Sequence, residues 1–188
     1  MDRQVIINTN QGDQASKDFL RSLIRDVPDF PSAGILFKDI TPLLRSAEAF
    51  DLAVNEFSKV SRQFDLVAGV EARGFIFAAA VAKMTGKGFI PIRKSGKLPA
   101  ASFSESYALE YGESILQIHQ DAVQSGERVM LIDDVLATGG TLGAAVKLIV
   151  RSGGVVDSVA VLMEISGLGG QQKFSETNPG LEISVLLK

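Results

Sequence analysis

Val129 to Thr141 reads VMLIDDVLATGGT, and this stretch decides how the rest of the chain is read. Apolar residues run straight into Asp133 and Asp134, and Thr138-Gly139-Gly140-Thr141 follows within a few positions. A buried strand ending in two like charges is costly unless something binds there. The glycine-rich turn leads into an apolar-periodic segment, Thr141 to Arg151, which is predicted as a helix. Unpaired N–H groups and the helix dipole at such a start favour an anion, and glycines let backbone close on it. The two carboxylates cannot bind a phosphate, but they accept hydrogen bonds from hydroxyl groups or ligate magnesium. A phosphate beside vicinal hydroxyls describes a ribose 5-phosphate.

Working outward, apolar strands alternate with helical segments. Gln14 to Arg25 and Ser46 to Phe64 have helical spacing, Asp65 to Val70 reads as a buried strand, and Gly74 to Met84 as an apolar helix. Gly88 to Ile92, Ile115 to Val123, Arg128 to Ile132, Val155 to Glu164 and Ile183 to Leu187 are predicted strands. Arg93 to Ser114, rich in small residues, is expected as a long lid or binding loop. The alternation predicts an α/β fold with a mostly parallel sheet covered by helices on both faces. Ligands of such sheets bind beyond the carboxyl ends of the strands, where Asp133 and Asp134 fall.

Composition narrows the alternatives. The 188 residues are 46% hydrophobic and 22% charged, with no internal repeat or long linker, so one globular domain over 1–188 is expected. Cysteine is absent and His119 is the single histidine, which excludes disulfides, thiolate sites and a multi-histidine zinc site. His119 is assigned no role. No apolar run nears the roughly 20 residues that span a bilayer, and the N-terminus lacks a signal peptide's pattern. A soluble, cytoplasmic protein without a membrane or nucleic-acid partner is expected at this net charge of −3. From Ala72 through Ser104 there is no Asp or Glu, yet Arg73, Lys83, Lys87, Arg93, Lys94 and Lys97 occur. A basic segment inside an acidic chain points to a small polyanionic ligand.

LIDDVLATGGT resembles the phosphoribosyl-diphosphate (PRPP) motif of type I phosphoribosyltransferases. FPSAGILFKDITPLL (30–44), GVEARGF (69–75), IPIRKSGKLP (90–99) and YALEYGESILQIHQDAV (107–123) narrow the resemblance to adenine phosphoribosyltransferases, and it covers Pro28 to about Lys173. It implies the type I fold with a small base-binding hood, to which 1–44 contribute, and a flexible lid near 94–114. It implies a magnesium-dependent transfer of phosphoribosyl from PRPP to N9 of adenine, giving AMP and pyrophosphate in purine salvage. A homodimer is implied as well.

The same resemblance implies roles for single residues. Asp133 and Asp134 would face the ribose hydroxyls, and Ala137, Thr138, Gly139, Gly140 and Thr141 would hold the 5-phosphate. Glu71, Ala72, Arg73, Arg93, Lys94 and Lys97 would line the pyrophosphate, with a non-proline cis peptide at Glu71–Ala72. Magnesium would be held mainly by the diphosphate of PRPP. Leu36, Phe37, Lys38 and Ile165 would contact adenine, with main-chain groups selecting its amino group over an oxopurine's carbonyl. Glu110, Tyr111 and Arg73 would act in catalysis, Glu110 exchanging the proton near N7 of the base.

Rival readings meet specific obstacles. A Walker A loop needs Gly-Lys-Ser/Thr, and a dinucleotide loop needs G-x-G-x-x-G after an early strand; neither is present around Gly139-Gly140-Thr141-Leu142-Gly143. A phosphoribosyltransferase for oxopurines is opposed by FPSAGILFKDI and LEYG, and a PRPP sensor by the short segment before Pro28. Gly169-Gly170-Gln171-Gln172-Lys173 departs from the family's Lys-Gly-Arg-x-Lys run and removes two positive charges from that loop.

Overall fold

A computed structural model describes residues 9–109 and 112–187 of the chain. The backbone groups into two compact units that divide between Ala53 and Val54. In the first unit, helix α1 (Thr9–Ser22) precedes a hairpin of β1 (Arg25–Pro28) and β2 (Leu36–Asp39), paired antiparallel from Arg25↔Asp39 to Pro28↔Leu36. Each strand is four residues long, too short for alternation to register, and sequence periodicity missed both. The connection turns through Asp29 (φ 57°), a cis Phe30–Pro31 bond and Gly34 (φ 84°), and the Gly34 amide donates to Asp29 Oδ1 at 2.7 Å. Helix α2 (Thr41–Arg45) starts with Pro42 in its first turn, where a missing N–H costs nothing. Asp39 accepts the Thr41 amide and hydroxyl, both at 2.9 Å, and binds Arg25 at 2.6 Å. The unit divides from its successor within α3 (Ala47–Lys59).

The second unit holds β3 (Leu66–Val70), α4 (Arg73–Thr85), β4 (Gly88–Lys94), β5 (Ser102–Leu109), β6 (Gly112–His119), β7 (Arg128–Leu136), α5 (Gly140–Arg151), β8 (Val155–Glu164), α6 (Gly170–Thr177) and β9 (Ile183–Leu187). The seven strands form one sheet in the order β5-β6-β4-β3-β7-β8-β9. The four central strands β4-β3-β7-β8 run parallel, and β6 pairs antiparallel with both β4 and β5. Most of their Val, Ile, Leu and Ala side chains are buried, as continuous apolar runs in a doubly covered sheet require.

Topology fixes where a ligand can bind. β4 lies on one side of β3, whereas β8 lies on the opposite side of β7. Right-handed crossovers therefore put α4 and α5 on opposite faces, and the strand order reverses between β3 and β7. The crevice beyond the carboxyl ends of those two strands is the switch point.

One sequence expectation is corrected here. Arg93 to Ser114 is not a long loop: β4 continues through Lys94, and Ser102–Leu109 pairs with Gly112–His119 from Ser102↔His119 to Leu109↔Gly112. Phe103 and Tyr107 pack on the core cluster while Ser104 and Ser106 are exposed, which is a strand's alternation. The outward serines gave the segment a loop's composition and hid that alternation. The remaining connection is residues 95–101.

Candidate active site

β7 does not stop before its two acids but carries them, running on to Leu136. Asp133 and Asp134 are 8% and 4% exposed. The Asp134 amide donates to Asp133 Oδ1 at 2.9 Å, and Arg73 Nε lies 2.8 Å from Asp134 Oδ2. Burial, and then the charge of Asp134, pushes the Asp133 carboxyl well above the ordinary carboxylate range. Burial also raises Asp134, with the Arg73 guanidinium opposing it. One arginine thus faces two buried acids. Gly74 makes this crowding possible: a Cβ there would meet Asp133 Oδ1 at 2.8 Å and the Ile132 carbonyl at 2.9 Å. The start of α4 can approach the acids only because that Cβ is missing. Sequence reasoning missed Gly74, whose signal was a glycine beside Arg73 where a helix begins.

Across the switch point, β3 ends in a turn with a cis peptide at Glu71–Ala72, the bond the family resemblance implied. Glu71 points at β4: Arg93 donates to its two carboxylate oxygens, each at 3.2 Å, and the Lys94 amide donates to Oε2 at 2.9 Å. Burial pushes the Glu71 carboxyl up, but the Arg93 and Lys94 donors outweigh it and hold it below the ordinary range. Arg93 also donates from Nη1 to the Lys97 carbonyl at 2.9 Å. Its guanidinium is therefore joined to the protein on two sides, while Lys94 and Lys97 are exposed.

The third component is the loop from Ala137 to Gly139 ahead of α5. The helix begins at Gly140, with Gly139 at φ 85° and Gly143 donating to the Gly139 carbonyl at 3.0 Å. The first amides of α5 have no partner within the helix, which makes this an anion-binding end. A Cβ on Gly139 would meet the Gly170 carbonyl at 2.8 Å, and one on Gly170 would collide with the Ala137 carbonyl. The start of α6 thus abuts the loop through two glycines. The neighbouring departure Gln171 donates its side-chain amide to Glu164 at the end of β8, and Ile165 donates its amide to the Leu136 carbonyl at 2.8 Å.

Asp133, Asp134, Ala137 to Thr141, Glu71, Ala72, Arg73, Arg93 and Lys94 all belong to the carboxyl ends of β3, β4 and β7, the turns leaving them, or the first residues of α4 and α5 that follow. Lys97 follows in the connection after β4. Ile165 follows β8 and is half-buried. Leu36, Phe37 and Lys38 lie on β2 in the first unit; Leu36 is 47% exposed, Phe37 stacks edge-on with Phe30 at 5.1 Å, and Lys38 Nζ pairs with Asp26 at 2.6 Å. Glu110 and Tyr111 lie outside the described residues. Among the described residues no group of three or more acids or histidines could cage a metal ion, and no helix is long and apolar enough to cross a membrane.

Diol-accepting acids beside an anion-binding helix start, at the switch point of a parallel sheet, define a class: an α/β protein that holds a sugar phosphate. The phosphoribosyl transferase domain model matches residues 42–173. An adenine phosphoribosyltransferase of Cutibacterium acnes is 50% identical over 171 residues, 90% of this chain and 97% of its own. The crystal structure of adenine phosphoribosyltransferase from Thermoanaerobacter pseudethanolicus superposes with a TM-score of 0.84 at 46% identity, covering 90% of this chain and 98% of that one. The Saccharomyces cerevisiae enzyme, complexed with adenine and an imino-altritol bisphosphate, gives a TM-score of 0.85 at 32% identity over 93% and 99% of the two chains. The chain belongs to the phosphoribosyl transferase family, among its adenine phosphoribosyltransferases.

Proposed function

We propose that the protein transfers the 5-phosphoribosyl group of PRPP to N9 of adenine, releasing pyrophosphate and forming AMP. The observation that carries this reading is the pair of buried acids, Asp134 ion-paired with Arg73, beside the glycine loop of α5. Two adjacent buried carboxylates are stabilised by donors, and the ribose 2- and 3-hydroxyls supply donors where Arg73 alone is insufficient. Ala137 to Thr141 hold the 5-phosphate through backbone amides and threonine hydroxyls. Ala72, Arg73, Lys94 and Lys97 face the diphosphate, and Glu71 and Arg93 brace the strand ends behind them.

In the reaction, N9 of adenine forms a bond to C1 of the ribose as the bond from C1 to the diphosphate oxygen breaks. Negative charge develops on the leaving group, where fixed cations lower the barrier most. Glu110 exchanges the proton that the base loses, and Tyr111 helps exclude water that would hydrolyse PRPP. Leu36, Phe37, Lys38 and Ile165 contact the adenine ring. Family enzymes use magnesium with PRPP. The donor set here suits a magnesium ion held mainly by the diphosphate, since Asp134 is ion-paired with Arg73, Glu71 is ion-paired with Arg93, and among the described residues no group of three acids could cage the ion. When bound, the ion neutralises charge on the leaving diphosphate.

Exposed Ile76, Met84 and Phe89 on α4 and β4 support a homodimer, which light scattering would test. A cytoplasmic location completes the reading. The test of function is magnesium-dependent AMP formation from PRPP and adenine, with hypoxanthine and guanine alongside. Turnover of adenine alone is expected. Turnover of an oxopurine instead would discard the base assignment, and PRPP binding without turnover would favour a sensor. Glu110→Gln is expected to lower kcat about 100-fold with PRPP affinity retained, and an unchanged kcat would remove its proton-transfer role.

A further inference from the structure

We propose that Gln117 is a positioning residue for diphosphate binding, latching to the sheet the turn that carries Lys94 and Lys97. The inference rests on the function proposed above. Gln117 lies two residues before the end of β6, opposite Arg93 on β4 and opposite Ser104 on β5. Directly opposed residues in antiparallel strands share a face, so Arg93, Gln117 and Ser104 form one row across three strands.

That row, together with the Ile115 carbonyl of β6, holds the turn after β4 at successive residues. The Ser95 amide donates to the Ile115 carbonyl at 3.0 Å. The Gly96 amide donates to Gln117 Oε1 at 2.8 Å, and Arg93 Nη1 donates to the Lys97 carbonyl at 2.9 Å. Gln117 Nε2 donates in turn to Ser104 Oγ at 3.0 Å. The chemistry fixes the side chain's orientation: a backbone N–H requires the oxygen, which leaves the amide nitrogen for the serine. Gly96 has φ 76°, so the turn occupies a conformation that glycine tolerates, and its amide is received by Gln117.

Lys94 and Lys97 themselves are exposed, so their placement depends on this backbone. A turn held before the ligand arrives loses less entropy on binding it. Gln117 contacts no substrate in this reading; it sets where two cations stand.

The experiment measures initial rates of AMP formation with each substrate varied in turn, together with thermal unfolding, for the wild type, Gln117→Met, Gln117→Glu and Ser104→Ala. Met keeps the bulk and loses both hydrogen bonds. Gln117→Met is expected to raise KM for PRPP about tenfold, with kcat and the KM for adenine within about twofold of wild type. Gln117→Glu keeps an acceptor for the Gly96 amide, and the Ser104 hydroxyl can turn to donate to it, so part of the loss is recovered. Ser104→Ala leaves the Gly96 bond but frees the carboxamide, and about a threefold rise in KM for PRPP is expected, a readout that stands even if Gln117→Met fails to fold. An unchanged KM for PRPP, or an equal rise for both substrates with a lower Tm, overturns the latch. Absence of AMP formation by the wild type overturns the underlying function instead.

Discussion

The two ends of the same parallel strands treat charge in opposite ways. At the amino ends, Arg128 of β7 donates from Nε to Asp157 of β8 at 3.0 Å, the Asp65 amide donates to the Arg128 carbonyl at 2.8 Å, and the Arg128 amide donates to Asp65 Oδ2 at 2.9 Å. Burial pushes Asp157 up, but Ser61, Arg128 and Ser158 outweigh it and hold its carboxyl below the ordinary range. At the carboxyl ends, Arg73 pairs with Asp134, and burial and the charge of Asp134 push Asp133 well up. Charges matched by partners serve the fold. An acid pair left short of donors is a cost to the empty protein, and a ligand carrying hydroxyls removes it.

The contrast gives the largest expected effect. Asp133→Asn should lower kcat/KM for PRPP at least about 100-fold, because an amide cannot accept as a carboxylate does. Asp157→Asn, at the far end of the sheet, should leave it within about threefold. Equal losses of activity from the two substitutions, measured by AMP formation, would erase the distinction between the ends.

Gly170→Ala sharpens the comparison on the site side. Its Cβ would press on the Ala137 carbonyl and displace the phosphate loop, so KM for PRPP should rise about tenfold while the KM for adenine holds. A wild-type KM would mean that the loop does not depend on α6.

Smaller effects concern stability. Asp157→Asn should lower Tm by about 3–9 °C, the consequence of losing about 1–3 kcal/mol from a buried paired acid. The smallest expected effect lies in the first unit. Backbone donation by Thr41, together with Arg25, lowers Asp39 to a pKa of about 2. A depressed carboxylate stabilises the fold above its unfolded value, and that contribution fades as pH falls from the ordinary 3.8 to about 2. Asp39→Asn should flatten stability across this window, and acid titrations followed by circular dichroism would show a steeper wild-type slope if the account holds.

How much of this was legible in the chain follows from distance along it. VMLIDDVLATGGT disclosed strand, acids, loop and helix because the pattern is local, and Val155–Glu164 and Ile183–Leu187 match their predicted bounds. The β5–β6 hairpin was hidden by the exposed serines at 104 and 106, and α6 by its start on Gly169 and Gly170. The grip of Arg93 on Glu71 joins residues 22 apart in sequence, and the approach of Gly170 to Ala137 depends on where β8 returns the chain. Such contacts arise from the sheet order, which periodicity does not encode.

The most direct test of the central claim is thermal unfolding of Asp133→Asn beside the wild type at pH 7 without ligand. Folded Asp133 binds its proton more tightly than unfolded Asp133, so this group's contribution to stability is full at low pH and is lost as pH rises through the raised value. Asparagine removes that penalty. The account predicts a higher Tm for the variant together with lost AMP formation in the same sample. A lower Tm would contradict it, placing Asp133 among the fold's satisfied charges and not in a site that waits for a sugar phosphate.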